Sequence, residues 1–201
     1  MRARFYLDYL RCDKTTENGE DEIYLLLAGV SSLGHTWAAR FPDGKGHWDL
    51  NDGNSENRTF NGDVIMWERD LEPGEVVTLA ISVMEEDGGT SATYTDMLAA
   101  LLVESGEPDA MFAGTILGVL GKYLNFKDSD DFIGSFVVRI QDNTVVRGGG
   151  GWTHTVSWRS VDRVSSHRPI PPPPPPLPYT SAHEFDFNGD GSLYTGVFVV
   201  A

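Results

Sequence analysis

The sequence predicts a mostly β chain, interrupted once by an α-helical hairpin and closed by a C-terminal β-hairpin. Three observations carry this. Strand-like runs, alternating or wholly apolar, fill the chain up to Met84 and resume at Phe132. Between them, residues 92–124 place Met97, Leu98, Leu101 and Leu102, then Met111, Phe112, Ile116, Val119, Leu120 and Tyr123, at helical spacing. Phe185, Phe187, Leu193, Val197 and Val199 flank Asn188-Gly189-Asp190-Gly191, the pattern of a hairpin.

In order, residues 4–11 alternate as a half-buried strand, with Phe5, Leu7 and Tyr9 on one face and Tyr6, Asp8 and Leu10 on the other. A polar turn, Asp13 to Glu22, leads to Ile23–Val30, a run with the composition of a strand buried on both faces. His35–Phe41 is another strand, stopped by Pro42-Asp43-Gly44. Residues 47–57 read as a loop rich in Asp, Asn and Gly. Thr59–Trp67 and Val76–Met84 are strands separated by the Pro73-Gly74 turn. Ser105-Gly106-Glu107-Pro108-Asp109 divides the helical segment in two. Phe132–Gln141 and Thr153–Val161 are strands on either side of four glycines, 148–151. Prolines 171–176 impose polyproline II, as a spacer or as a ligand for an SH3-like partner. The expected organisation is a body over residues 1–168 containing the insert 92–124, a proline spacer over 169–178, and a hairpin over 179–201. That hairpin should return to the main sheet or add to a neighbour's.

Composition narrows the function. The chain has 201 residues, 40% of them hydrophobic, enough for one domain with a sizeable core. Its net charge of −15 argues against nucleic acid as a partner, because phosphate binding needs a basic face. The single cysteine, Cys12, excludes an intrachain disulfide and a cysteine-based zinc site. Met1 to Tyr6 has basic residues but no apolar stretch after them, so no signal peptide is visible and no apolar run reaches membrane-spanning length. Cytoplasmic or peripheral-membrane residence is expected, with signal-independent export open.

Catalytic motifs are missing. The histidines at 35, 47, 154, 167 and 183 lack paired metal spacing, and no G-x-S-x-G elbow occurs. Gly121-Lys122 is not a phosphate loop, since Ile116 stands where the first glycine is needed and Tyr123 follows the lysine. Asp186 to Ser192 imitates the start of an EF-hand loop, but Val197 stands where the terminal Glu belongs, so a hairpin turn is the better reading. A non-enzymatic protein is expected.

Two acidic stretches remain. Glu85-Glu86-Asp87 ends one strand run, and Asp128, Asp130 and Asp131 precede another. If those runs are neighbouring strands, the acids meet at one end of a sheet. Like charges about 5 Å apart repel by roughly 3 kcal/mol per pair at an effective dielectric near 20. Such a cluster needs a cation or enough separation to stay solvated. Carboxylates on loops, without Cys or His, suit a hard ion such as Ca2+. The plainer alternative is an acidic surface that keeps the protein soluble.

Set beside the first polar turn, these stretches resemble the C2 domain. Asp13, and Asp21 just before Glu22-Ile23-Tyr24-Leu25, stand where that family has the acids of its first calcium loop. Glu85-x-Asp87, then Asp131-Phe132-Ile133-Gly134, are similar to its third loop. The resemblance spans residues 4–141, and Asp-Phe-Ile-Gly is its strongest part. It departs from the pattern in having Glu85 for Asp, a helical insert within the third loop, and the tail from 148 on. One strand before the first acidic loop fits the circularly permuted form. The resemblance implies an antiparallel eight-stranded β-sandwich that binds Ca2+ at one end and associates with an anionic membrane or a protein partner. It makes Asp13, Asp21, Glu85, Asp87 and Asp131 ligands, with Asp128, Asp130 and Glu20 next in line. Phe112, Ile116 and Leu117 of the insert are then candidates for the membrane or partner contact. A second reading is a structural or assembly subunit, with a homo-oligomer as one form, whose C-terminal hairpin adds strands to a neighbour.

Overall fold

The computed structural model describes residues 2–15, 19–42, 46–56, 64–86, 131–143, 153–160, 163–170, 181–189 and 191–201. Within them the chain is mostly β. Twelve strands form two six-stranded antiparallel sheets: β1 (Arg2–Lys14), β2 (Asp21–Ser31), β3 (Thr36–Phe41), β4 (Trp48–Leu50), β5 (Ser55–Glu56), β6 (Val64–Asp70), β7 (Val76–Glu85), β8 (Asp131–Asn143), β9 (Thr153–Ser160), β10 (Val164–Ile170), β11 (Ser181–Gly189) and β12 (Ser192–Val200). The first sheet runs β10-β11-β12-β1, and the far edge of β1 is shared by β6 along Arg2–Leu7 and β5 at Leu10 and Arg11. The second runs β3-β2-β7-β8-β9, with β4 continuing the β3 edge of β2 at Asp21–Ile23. The helical insert expected at 92–124 and its contact residues Phe112, Ile116 and Leu117 lie outside the described residues, as does the proline run 171–176.

The core between the sheets follows from period two. Ile23, Leu25 and Leu27 on β2, Val77, Leu79, Ile81 and Val83 on β7, and Phe136, Val138 and Ile140 on β8 point inward. They meet Phe5, Leu7, Leu10 and Cys12 of β1 and Phe185, Phe187, Tyr194 and Phe198 of the terminal strands. Rings fill the middle: Phe136 stacks on Phe185 with centroids 4.1 Å apart, and Phe5 on Phe198 at 6.0 Å. Room for these rings depends on glycine. A Cβ on Gly196 would come 2.8 Å from the Phe198 ring, and one on Gly189 would fall onto the backbone of Ile133. The opposite residues of the second sheet, Tyr24, Leu26, Ala28, Ala80, Met84 and Val137, are buried too, so β2 is covered on both faces as its apolar run predicts.

Several strands differ from the sequence reading. β1 does not alternate throughout: a bulge between Leu7 and Tyr9 turns Leu10 and Cys12 inward and Tyr9 outward, where its hydroxyl lies 3.1 Å from Glu184 Oε2. β4 and β5 occupy the segment read as loop, the described strand expected from Thr59 is Val64–Asp70, and β10 was not foreseen. The terminal hairpin is β11–β12. Each of its strands has a neighbour on both edges, β12 pairing with β1 from Phe5 to Lys14. Among the described residues no helix is long and apolar enough to cross a membrane.

Candidate metal centre

The β1–β2 and β7–β8 connections leave the same end of the molecule. The register fixes this: Ile23 of β2 pairs with Glu85 of β7, and Glu85 pairs with Asp131 of β8. The two acidic strand runs are therefore neighbours, and the ends that carry acids coincide.

Asp21 opens β2. It shares the inward face with Ile23 and Leu25, and it is 0% exposed. Ser192 Oγ donates to its Oδ2 at 3.2 Å, and the Tyr194 hydroxyl donates to the same oxygen. Both donors come from β12, across the sandwich. Asp21 Oδ1 is buried with no hydrogen-bond partner among the described residues. Glu85 ends β7 on the inward face with Ile81 and Val83, and is 1% exposed. Cys12 faces the same space. Its thiol is pushed up to about 11 by burial first, against a lowering hydrogen bond with Tyr194, and further by the charge of Asp21. The thiol stays protonated at neutral pH, which removes it as a nucleophile. Burial also pushes the Tyr194 hydroxyl far up, followed by its hydrogen bond to Asp21 and by the charges of Cys12, Asp21 and Glu85. This hydroxyl is a fixed donor.

Not every predicted ligand joins this group. Asp13 lies on the outer face of the first sheet. Arg11 Nε donates to its Oδ1 at 2.6 Å, and Thr195 Oγ1 lies 2.5 Å from its Oδ2 and 2.9 Å from Asp186 Oδ1. The β1 bulge is the reason, because it hands the inward position to Cys12. Asp87, Asp128 and Asp130 lie outside the described residues. The backbone of Asp131 stands opposite Glu85. Glu86, beside Glu85, points elsewhere: its Oε2 is 3.0 Å from Arg40 Nη2 and 3.3 Å from His47 Nδ1. Arg40 in turn lies 3.6 Å over the Tyr24 ring. Among the described residues no group of three or more His, Cys, Asp or Glu is placed to hold a metal ion. Asp21 and Glu85 supply two carboxylates to the inner end, whereas calcium takes six to eight oxygens. Further ligands would have to come from Asp87, Asp128, Asp130 and Asp131. The buried Oδ1 of Asp21 is the atom that fits a cation.

Ser192 and Tyr194 were missed as site residues. Their signal was present: each falls on the inward phase of a strand whose other inward members are Phe198 and Val200.

A second buried acid pair occupies the other end of β7 and β8. Glu75 and Asp142 are joined through backbone, with Asp142 N donating to Glu75 O at 3.2 Å. Glu75 is held by Arg69 Nη1 at 3.0 Å and by the amide of Glu72 at 3.0 Å. Asp142 is 0% exposed, and neither of its carboxylate oxygens has a hydrogen-bond partner among the described residues.

Comparison with protein-family models, with curated proteins and with solved structures returned no match.

Proposed function

We propose that this chain is a non-enzymatic calcium-binding module of C2-like character, which associates with an anionic membrane or a protein partner through its acidic end. The observation that carries the reading is Asp21: fully buried, anchored through Oδ2 by Ser192 and Tyr194, with Oδ1 left over, on the same inward face as Glu85. A buried carboxylate without full compensation costs several kcal/mol, and a cation repays that cost. Calcium would supply positive charge where β1–β2 and β7–β8 converge. It would also cancel the negative field that otherwise repels an anionic surface. Asp21 and Glu85 would hold it from the inner side, and Asp131, Asp87, Asp128 and Asp130 from the loop side.

The test compares melting in chelator and in millimolar calcium. A ligand at a hundredfold excess over its dissociation constant adds about 2.7 kcal/mol. The midpoint should rise, Asp21→Asn should abolish the rise, and Asp13→Asn should leave it largely intact. An unchanged midpoint in the native protein removes the reading. If the midpoint rises, binding to vesicles rich in phosphatidylserine with and without calcium separates a membrane from a protein partner. An assembly role through the C-terminal hairpin is the weaker reading. β11 and β12 already have neighbours on both edges, so lending them to another chain would require exchange. A solution mass above that of one chain would favour it.

A further inference from the structure

One long side of the sandwich, where the sheets end in β9 and β10, carries a cluster of rings beside Val156 and Val164. Trp158 of β9 reaches across and stacks on His183 of β11, with centroids 4.5 Å apart and planes 21° from parallel. Beside His183 stands His167 of β10, whose Nε2 is 2.5 Å from His183 Nδ1. His167 lies flat on Phe185 at 4.3 Å, and Phe185 stacks on Phe136 in the core. Ser181 Oγ ties the group together. It accepts from Trp158 Nε1 at 3.0 Å and lies 3.1 Å from His183 Nε2.

The distance between the imidazoles decides what they share. Two nitrogens at 2.0–2.1 Å from one tetrahedral zinc would stand about 3.3 Å apart. At 2.5 Å there is room for one hydrogen. One ring therefore donates and the other accepts, an arrangement possible with both rings neutral or with one charged. With both charged, each nitrogen carries a proton and the contact becomes a clash of like charges.

We propose that His167 and His183 form an acid-operated latch that holds the β9 edge of one sheet on the β10–β11 edge of the other, and that charging both rings releases it. Release frees Trp158 from His183 and uncovers Phe185 and Phe136. Among the described residues no other titratable or charged side chain faces the pair. Arg168 and Glu184, with Tyr9, and Asp186 lie on the outer face of the first sheet, and Arg139 and Arg159 on the outer face of the second. Arg163, in the β9–β10 turn, is committed to the carbonyl of Phe132. Among the described residues no carboxylate is therefore in place to stabilise the doubly charged pair. Burial accordingly lowers His167, while burial and then the neighbouring His167 lower His183 to about 4.

The experiment uses the full chain. Histidine ring resonances are followed by NMR from pH 7.5 to 4, together with tryptophan fluorescence and binding of the apolar dye ANS. In the native protein, one ring should titrate at least one pH unit below the ordinary 6.5. ANS fluorescence should rise several-fold over the same interval. The variant His167→Gln/His183→Gln should show no such rise in that interval. Two ordinary titrations with unchanged tryptophan emission would overturn the latch, as would an identical ANS transition in the double variant. Should the double variant not fold at pH 7.5, His183→Phe, which keeps a ring for Trp158 and removes one charge, replaces it under the same criterion.

Discussion

Replacing Tyr194 with Phe removes one oxygen from the buried end of the sandwich and tests the electrostatics of the site directly. The hydroxyl is fully buried, and its proton goes to Asp21 Oδ2. In Tyr194→Phe that oxygen keeps, among the described residues, Ser192 at 3.2 Å, while Oδ1 has no described partner to take up the charge. A hydrogen bond to a charged group contributes about 1.5–3 kcal/mol. The ring survives, so no packing loss is added. In chelator the expected cost is therefore about 2 kcal/mol. With a urea slope of about 2 kcal/mol/M, the unfolding midpoint should fall by about 1 M. Calcium changes the sum, because an ion on Asp21 replaces part of the lost compensation. The cost in millimolar calcium should be smaller by about 1 kcal/mol. Combined with Asp21→Asn, the two substitutions should be non-additive by about 1–2 kcal/mol, as expected for groups in contact. A cost below about 0.5 kcal/mol in chelator would refute the account of Asp21 as a charge held by Tyr194. Equal costs in chelator and calcium would refute the shared site while leaving the hydrogen bond standing.

The remaining predictions concern the other buried titratable groups. Asp142→Asn should raise stability by about 1–2 kcal/mol in urea unfolding, because it replaces a fully buried carboxylate, whose oxygens receive no hydrogen bond from any described residue, with a neutral amide beside Glu75; a loss of stability would show that the carboxylate is held. Stability should also fall between pH 6.5 and about 4 through His183, whose folded value is depressed. The unfolded chain takes up the proton first as pH drops, so the contribution is complete above 6.5 and is lost toward 4. At about 1.36 kcal/mol per unit, the full shift would give about 3 kcal/mol. Solvent around a half-exposed ring reduces this to roughly half. Urea unfolding across that range in His183→Phe should lack this component, and an unchanged pH profile would refute it.

What the sequence disclosed, and what it concealed, divides along physical lines. β2, β7 and β8 were legible because each is a long, nearly continuous apolar run rich in branched and aromatic residues. β10 was hidden by its composition: Ser165-Ser166-His167-Arg168-Pro169 has no apolar alternation, and it pairs through backbone and rings supplied by β11. β4 and β5 are three and two residues long, and register against longer strands sets them. The meeting of the acids that end β7 and open β8 followed from reading the two runs as neighbouring strands, and the β1–β2 turn entered through the resemblance to the C2 domain. That Asp21 and Glu85 point inward was equally readable, since each continues the phase of Ile23–Leu27 or Ile81–Val83. Their partners were not, because Tyr194 lies 173 positions from Asp21 in the chain.

Asp13 shows why phase alone can mislead. The resemblance to the C2 domain puts it with Asp21 in a first acidic loop, and a count by twos from Phe5 and Leu7 would put it on the inward face as well. The bulge at Asp8 inserts one residue, so the side chains from Tyr9 to Cys12 change face, and a second irregularity falls at Asp13 itself. Cys12 takes the inward place, beside the buried Tyr194 hydroxyl and within the field of Asp21. Asp13 is turned to Arg11 and Thr195 instead. A third inward carboxylate would have added like charge to a space that already holds two. Among the described side chains the bulge thus leaves two acids, Asp21 and Glu85, at the inner site. On the proposed function, calcium binding there would draw its further ligands from the β7–β8 connection rather than from β1.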